Sequence, residues 1–133
     1  MKDKPRRFVK MFKPRFAELI RSGAKRQTIR PTPKVLPEAG DIIDCRQWSG
    51  LPYRSKQIRL GEFEVAEVGS IKITGWSVSI RFGPVFDQML EEEESIQEFS
   101  KADGFESYDE MRDWFLYEHG LPFEGILIKW RDL

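Results

Sequence analysis

The chain of 133 residues contains one cysteine and one histidine, and these two scarcities remove whole classes of chemistry. Cys45 has no partner for an internal bridge, which agrees with a reducing compartment. It lies inside the strand-like stretch Asp41 to Cys45, where it reads as a buried structural thiol rather than a nucleophile. His119 stands beside Gly120, with Pro122 just beyond, so it reads as the last residue of a helix, and that placement argues against His-dependent catalysis. Neither residue lies near the acidic run Glu91 to Glu94, whose spacing matches no calcium loop, so a solvated helix start explains the run without a metal. Long apolar runs are missing too: nothing approaches the roughly 18 residues of a membrane span. The basic start, Lys2 to Arg7, lacks the apolar region of a signal peptide, so the expectation is a cytoplasmic protein with no membrane partner. No repeat or interdomain linker is visible, and residues 1–133 are expected to form a single domain.

Net charge is also absent, but only as a sum. Met1 to Arg59 carries 16 Lys and Arg against 5 Asp and Glu, whereas Leu60 to Leu133 carries 6 against 17. Such an imbalance predicts a basic face for phosphates and an acidic face elsewhere, provided the fold keeps the halves apart.

Periodicity supplies the elements. Arg6 to Phe12 reads as a strand with Phe8 and Phe12 as core candidates. Pro14 suits a first helical position, and Phe16, Leu19 and Ile20 make the buried side of a helix that Gly23 ends. Three prolines mark Pro31 to Gly40 as a loop, after which Asp41 to Trp48 is a strand. Leu60 to Ile73 is one long strand or a bent pair. Apolar residues are odd-numbered at Ile71 and Ile73 but even-numbered from Trp76 to Phe82, so a bulge or tight turn belongs at Thr74 and Gly75. Gly83 and Pro84 are expected to end this sheet region. An acidic helix carrying Ile96 and Phe99 follows. Ser107 with Glu110 forms a capping box for a last helix whose stripe is Met111, Trp114 and Phe115. Phe123 to Trp130 is the final strand, expected to close the sheet beside the first.

The segment from Ser22 to Pro31 holds the chemistry. If Thr28 to Arg30 is a strand, its period of two turns the Thr28 hydroxyl and the Arg30 guanidinium to one face and buries Ile29 on the other. Lys25 sits on the tight connection before it. A hydroxyl, an amine and a fork of donors suit an anion or nucleotide; a solvated basic turn is the alternative. A second candidate is the loop Ser49 to Gln57, where Tyr53, Arg54 and Lys56 follow Trp48 and interleave aromatic and basic groups as in surfaces that stack a base and hold its phosphate.

The pattern Gly-x-Lys-x-x-Thr-x-Arg, here Gly23, Lys25, Thr28 and Arg30, after a helix that follows an N-terminal strand, resembles the signature of the ASCH domain (activating-signal-cointegrator homology), a small member of the PUA-like group. Three further stretches stand in the order that family shows: Gly40 to Ile43, Phe63 to Val68, and Ala102 to Phe105 before a helix and a final strand. The resemblance spans essentially the whole chain. It implies an α+β, PUA-like fold, a small, partly open and mostly antiparallel barrel flanked by about three helices. It also implies RNA or a modified nucleoside as ligand; read from the residues themselves, Lys25, Arg26, Arg30, Arg54 and Lys56 would hold it with Trp48 or Tyr53 stacking a base, the enlarged loop Ser49 to Gln57 being a departure from the family's short enzymes, and no cofactor and no metal are called for. Small bacterial enzymes of the superfamily hydrolyse the amide of 4-acetylcytidine with a Lys, a Thr and a Glu, and ribonuclease activity has been attributed to other members. Lys25 as base and Thr28 as nucleophile match the first two. The third matches either Asp103, one methylene shorter than Glu, or Glu106. A lysine serves as base only if burial or nearby cations lower its pKa, and Arg26 and Arg30 are placed to do so, while a close carboxylate acts the other way.

Overall fold

A computed structural model describes residues 4–83, 87–90 and 92–133. Among them are seven strands, β1 (Arg7–Met11), β2 (Gln27–Arg30), β3 (Ile42–Trp48), β4 (Gln57–Ile73), β5 (Val78–Arg81), β6 (Asp87–Leu90) and β7 (Phe123–Asp132). Three helices accompany them, α1 (Ala17–Ser22), led by a short 3-10 turn at Pro14–Phe16, α2 (Glu93–Ala102) and α3 (Tyr108–Glu118). The sheet is mixed but mostly antiparallel, since only the β1–β3 pairing is parallel.

β4 organises the sheet. Its first half pairs with β3, and its second half has β7 on one side and β5 on the other. The expectation of one long strand or a bent pair resolves into a single strand of 17 residues whose register shifts between Val65 and Glu67, a bulge that bends it. β2 lies on the far side of β7, so β1, β3, β4, β7 and β2 follow one another around a barrel-like sheet that is not closed. At the open seam a side chain does what a ladder would do: Arg30 Nη2 donates to the Met11 carbonyl at 2.7 Å.

Local expectations largely hold. Gly23 ends α1 in the left-handed conformation at φ 84°, and Ser107 accepts the Glu110 N–H at the start of α3. The odd-to-even switch is a tight turn at Thr74–Ser77, with Ile71 and Ile73 buried before it and Val78 and Ile80 after. Successive burial of Ile126, Leu127 and Ile128 shows β7 covered on both faces, and these residues form the core with Val65, Ile43, Ile20 and Met111. Phe12 is buried and Phe8 only half-buried.

Two expectations are corrected. β7 does not lie beside β1; antiparallel pairing places it between β2 and β4, and β1 uses β3 instead. The sheet region does not end at Gly83, because β6 returns along β5; Pro84 and Glu91 lie outside the described residues. β6 has only four residues, too few for its own periodicity to announce a strand. The condition on which separate basic and acidic faces depended is not met, because the charged halves interleave. Arg7 pairs with Glu62, Lys13 with Glu118, Arg15 with Glu110, Arg26 with Asp132, and Lys25 with Asp103, so much of the imbalance is spent in ion pairs between the halves.

Candidate functional site

Beneath the seam lies a cavity of about 220 Å³. Lys25, Thr28, Arg30 and Asp103 line it, with aromatic walls from Phe12, Phe16 and Trp114, and with Lys13, Glu118 and His119 also present. Each polar group arrives by a different route. The α1 C-cap turns the chain so that the Lys25 N–H bonds to the Leu19 carbonyl, and its side chain is carried inward to 2% exposure. β2 presents Thr28, 3% exposed, on the same face as Arg30 through the alternation of its side chains. Asp103 comes from the α2 C-cap, a connection that Gly104 continues at φ 100°. A Cβ on Gly104 would stand 3.0 Å from a Phe16 ring carbon and 3.2 Å from Lys25 Cδ, so both the turn and the packing require glycine there.

Lys25 Nζ donates to the Asp103 backbone carbonyl and lies 3.5 Å from its Oδ1. Its ammonium also sits 4.8 Å from the centre of the Phe16 ring, within cation–π range. Asp103 accepts a second bond from Gln27 Nε2 at 3.3 Å. Burial lowers the Lys25 pKa, with the Arg30 charge acting in the same direction and Asp103 opposing both. Burial raises the Asp103 pKa against the pull of Lys25, Gln27 and Arg30. Desolvation therefore outweighs pairing on both sides, and each member is pushed toward its neutral form.

Arg30 spans the mouth. Its Nε donates to Thr28 Oγ1 at 3.0 Å, and its guanidinium lies 4.5 Å from the Phe12 ring centre. The Thr28 oxygen is thus engaged as an acceptor and its own O–H remains to be offered to a ligand. No hydrogen bond joins Lys25 to Thr28 among the described residues. Lys10, on β1, is half-buried with its pKa lowered by burial and by Arg30, so the seam carries two cations without a carboxylate at ion-pair distance among the described residues. Cys45 pairs with Lys10 across β1 and β3, is fully buried, and has its thiol pushed up to about 12 by burial, as expected of a structural thiol.

The remaining candidates lie elsewhere. Arg26 turns away: its Nε bonds to the Gly23 carbonyl and its Nη2 to Asp132 at 3.2 Å, so of the two cations proposed to depress Lys25 only Arg30 does so. Glu106 is exposed and absent from the cavity wall, so of the two carboxylates matched to the family's Glu it is Asp103 that lines the cavity, with Glu118 held by Lys13 at the rim. Trp48, Tyr53, Arg54 and Lys56 are not part of the wall either. They occupy the β3–β4 hairpin, whose Trp48 and Tyr53 rings lie 5.2 Å apart. Conversely, His119 does line the cavity, its ring packed on Phe115 and Phe123, although the sequence pattern reads it simply as a helix end. Its position four residues after the buried Phe115 was the available signal. Lys13, bonded to Glu118 and 4.6 Å from the Trp114 ring, completes the rim.

No family model, no curated protein and no solved structure matches the chain. The site therefore rests on its own geometry. Among the described residues no cluster of three potential metal ligands is found, and no helix is long and apolar enough to cross a membrane.

Proposed function

We propose that this is an ASCH-like protein that binds a nucleoside, free or as one nucleotide of RNA, in the cavity around Lys25, Thr28, Arg30 and Asp103. One observation carries the reading: a buried ammonium–carboxylate pair and a threonine hydroxyl converge on an aromatic-walled cavity of about 220 Å³. Pockets for drug-sized ligands run to roughly 300–1,000 Å³, so this one suits a single base or nucleoside. Phe12, Phe16 and Trp114 supply apolar ring faces. Lys25 offers donors, Asp103 an acceptor, and Thr28 either, which is the equipment that reads a base edge. All four residues of the family signature, Gly23, Lys25, Thr28 and Arg30, build this cavity or the turn leading into it.

The lowered Lys25 pKa favours a second reading, a metal-independent amidohydrolase acting on 4-acetylcytidine. Thr28 Oγ1 would attack the acetyl carbon while Lys25 took its proton; the C–N bond would break with that proton passing to the amine, and water would then release acetate. The ground-state contacts favour binding first, because Lys25 is engaged with Asp103 rather than with Thr28.

Incubation of the protein with cytidine, 4-acetylcytidine and mixed-sequence RNA, with products resolved by mass and binding by calorimetry, tests both readings. Nucleoside binding that Thr28→Val weakens, without acetate release, supports the binding role. Acetate release or RNA cleavage lost in Thr28→Val establishes the enzyme. Absence of binding and turnover with all three refutes both.

A further inference from the structure

The outward face of β1, β3 and β4 carries a second, differently built collection of cations. Asp44, fully buried, accepts from Arg46 Nη2 at 2.7 Å, and stands 3.3 Å from Arg59 Nη2 and 3.4 Å from Arg7 Nη1. Glu62 takes Arg59 Nη1 at 2.7 Å and Arg7 Nη2 at 2.8 Å. Arg46 and Arg59 are directly opposed across the two strands, an arrangement of like charges that is unfavourable by itself. Burial works against ionised Asp44, but the Arg46 and Arg59 hydrogen bonds outweigh it and hold its pKa below the usual carboxylate range. The network therefore fixes three guanidinium groups on one surface with more N–H donors than two carboxylates can accept.

The strip continues into the hairpin. Alternation along β3 places Asp44, Arg46 and Trp48 on this same face, and Arg46 Nη1 reaches Gln57, the residue opposite Trp48. Beyond lie exposed Tyr53, Arg54 and Lys56, and the last two have no ion-pair partner among the described residues. Five cations thus stand against two carboxylates, and the strip ends in an aromatic pair whose Tyr53 is 89% exposed. Tyr53 is held at φ 62°, a conformation costly for a tyrosine. Phe12, whose ring lines the cavity, donates its N–H to the Arg46 carbonyl, so the strand that carries the strip on its outward face is joined through its backbone to the chain that walls the cavity on the inner side.

We propose that this face is a single-stranded nucleic-acid track, with Arg7, Arg46, Arg59, Arg54 and Lys56 along the phosphates and Tyr53 with Trp48 stacking a base. Charge complementarity selects a polyanion, and the aromatic pair at its end selects one with bases. Resting on the nucleoside reading of the cavity, the proposal makes the ligand one nucleotide of a strand rather than a free nucleoside.

The test is anisotropy titration of a labelled 12-nucleotide mixed-sequence RNA over 50–200 mM salt. The variants are Arg54→Gln/Lys56→Gln, a control with the same charge change elsewhere (Lys34→Gln/Lys101→Gln), Tyr53→Asn, which keeps a residue tolerant of positive φ, and Thr28→Val. For single strands each phosphate contact adds about 0.7 to the slope of log affinity on log salt, so the hairpin double variant should lose about 1.4, making its fourfold-salt affinity drop about 7-fold smaller than wild type. Tyr53→Asn should bind at least about fivefold more weakly with an unchanged slope. Wild-type salt dependence in the hairpin variant, or no RNA binding, overturns the track. RNA binding that depends on the hairpin but not on Thr28 keeps the track and refutes the cavity reading. Binding to phosphatidylserine vesicles in place of RNA, indifferent to Tyr53, overturns the track in favour of a lipid surface.

Discussion

Removing one member of the Lys25–Asp103 pair should damage the fold far more than removing both. The pair is 2% and 3% exposed, so Lys25→Met leaves a carboxylate, and Asp103→Asn an ammonium, buried without its partner at ion-pair distance. Breaking a buried pair in this way costs about 3–5 kcal/mol, whereas a neutral pair of similar shape is often as stable as the original. For 133 residues an unfolding entropy of about 2.1 cal/mol/K per residue converts each kcal/mol to roughly 3.5 °C, so either single variant should melt about 11–18 °C lower. Lys25→Met/Asp103→Asn should return to within about 1 kcal/mol of wild type, because the introduced amide oxygen still accepts from Gln27 and no charge remains. The pH dependences have opposite signs. In Lys25→Met the remaining carboxyl has a raised folded pKa, so folding retains its proton and stability falls as pH rises from the unfolded carboxyl value of 3.8 through the folded one. In Asp103→Asn the remaining lysine has a lowered folded pKa, so the unfolded chain binds more protons and stability rises with pH up to about the unfolded value of 10.5. Urea unfolding of the four proteins between pH 4 and 10 measures all of this. Additive, pH-independent losses would refute the coupling, and a double variant that binds nucleoside like wild type would refute the functional role of the pair.

Other outcomes follow from the same geometry. Gly104→Ala should cost about 1–3 kcal/mol from its positive φ alone and also displace Lys25, so nucleoside affinity should fall together with the melting temperature; a stable variant with unchanged affinity would contradict the packing. Cys45 keeps its proton to about pH 12 when folded but loses it above about 9.0 when unfolded, so at pH 10 it destabilises the wild type by about 1.4 kcal/mol relative to neutral pH. Cys45→Ala, whose cavity cost does not depend on pH, should lack that alkaline loss in a comparison of unfolding at pH 8 and 10. Arg30→Lys should lose about 1.5–3 kcal/mol, since an ammonium cannot reproduce the fork that holds both Thr28 and Met11; hydrogen exchange should show faster amides in β1 and β2, and unchanged protection would refute the side-chain closure of the seam.

Much of the site was legible where its cause was local. The period-two placement of Thr28 and Arg30 on one face and Ile29 on the other needs only strand geometry, and Gly23 needs only the end of a helix. Lys25 could be singled out, but not the balance acting on it, because its carboxylate comes from a residue 78 positions away whose backbone carbonyl also holds the ammonium. Arg26 escaped the same logic for a local reason that becomes visible only once β7 is present: its carbonyl takes the Trp130 N–H while its side chain folds back over the α1 terminus. His119 was hidden by a correct statement, since it does cap α3; what periodicity could not say is that α3 ends beside the cavity. The charge imbalance could not be turned into faces for a topological reason, because chain halves are not faces when the last strand lies between the second and the fourth.

The pairing of β2 has a consequence for how the molecule is born. Thr28 finds its backbone partner only in Ile128, a hundred residues later in the chain. During synthesis, β1 can meet β3 and β3 can meet β4 while β2 still has no strand to pair with. The ends of that long loop must be brought together before either strand gains from the contact, so this is a late and cooperative step. A product without β7 lacks the strand that holds β2, and with it the cavity wall supplied by Thr28, Ile29 and Arg30. On the proposed nucleoside reading, such a fragment would not bind, so nucleoside binding would report only chains in which β7 has docked.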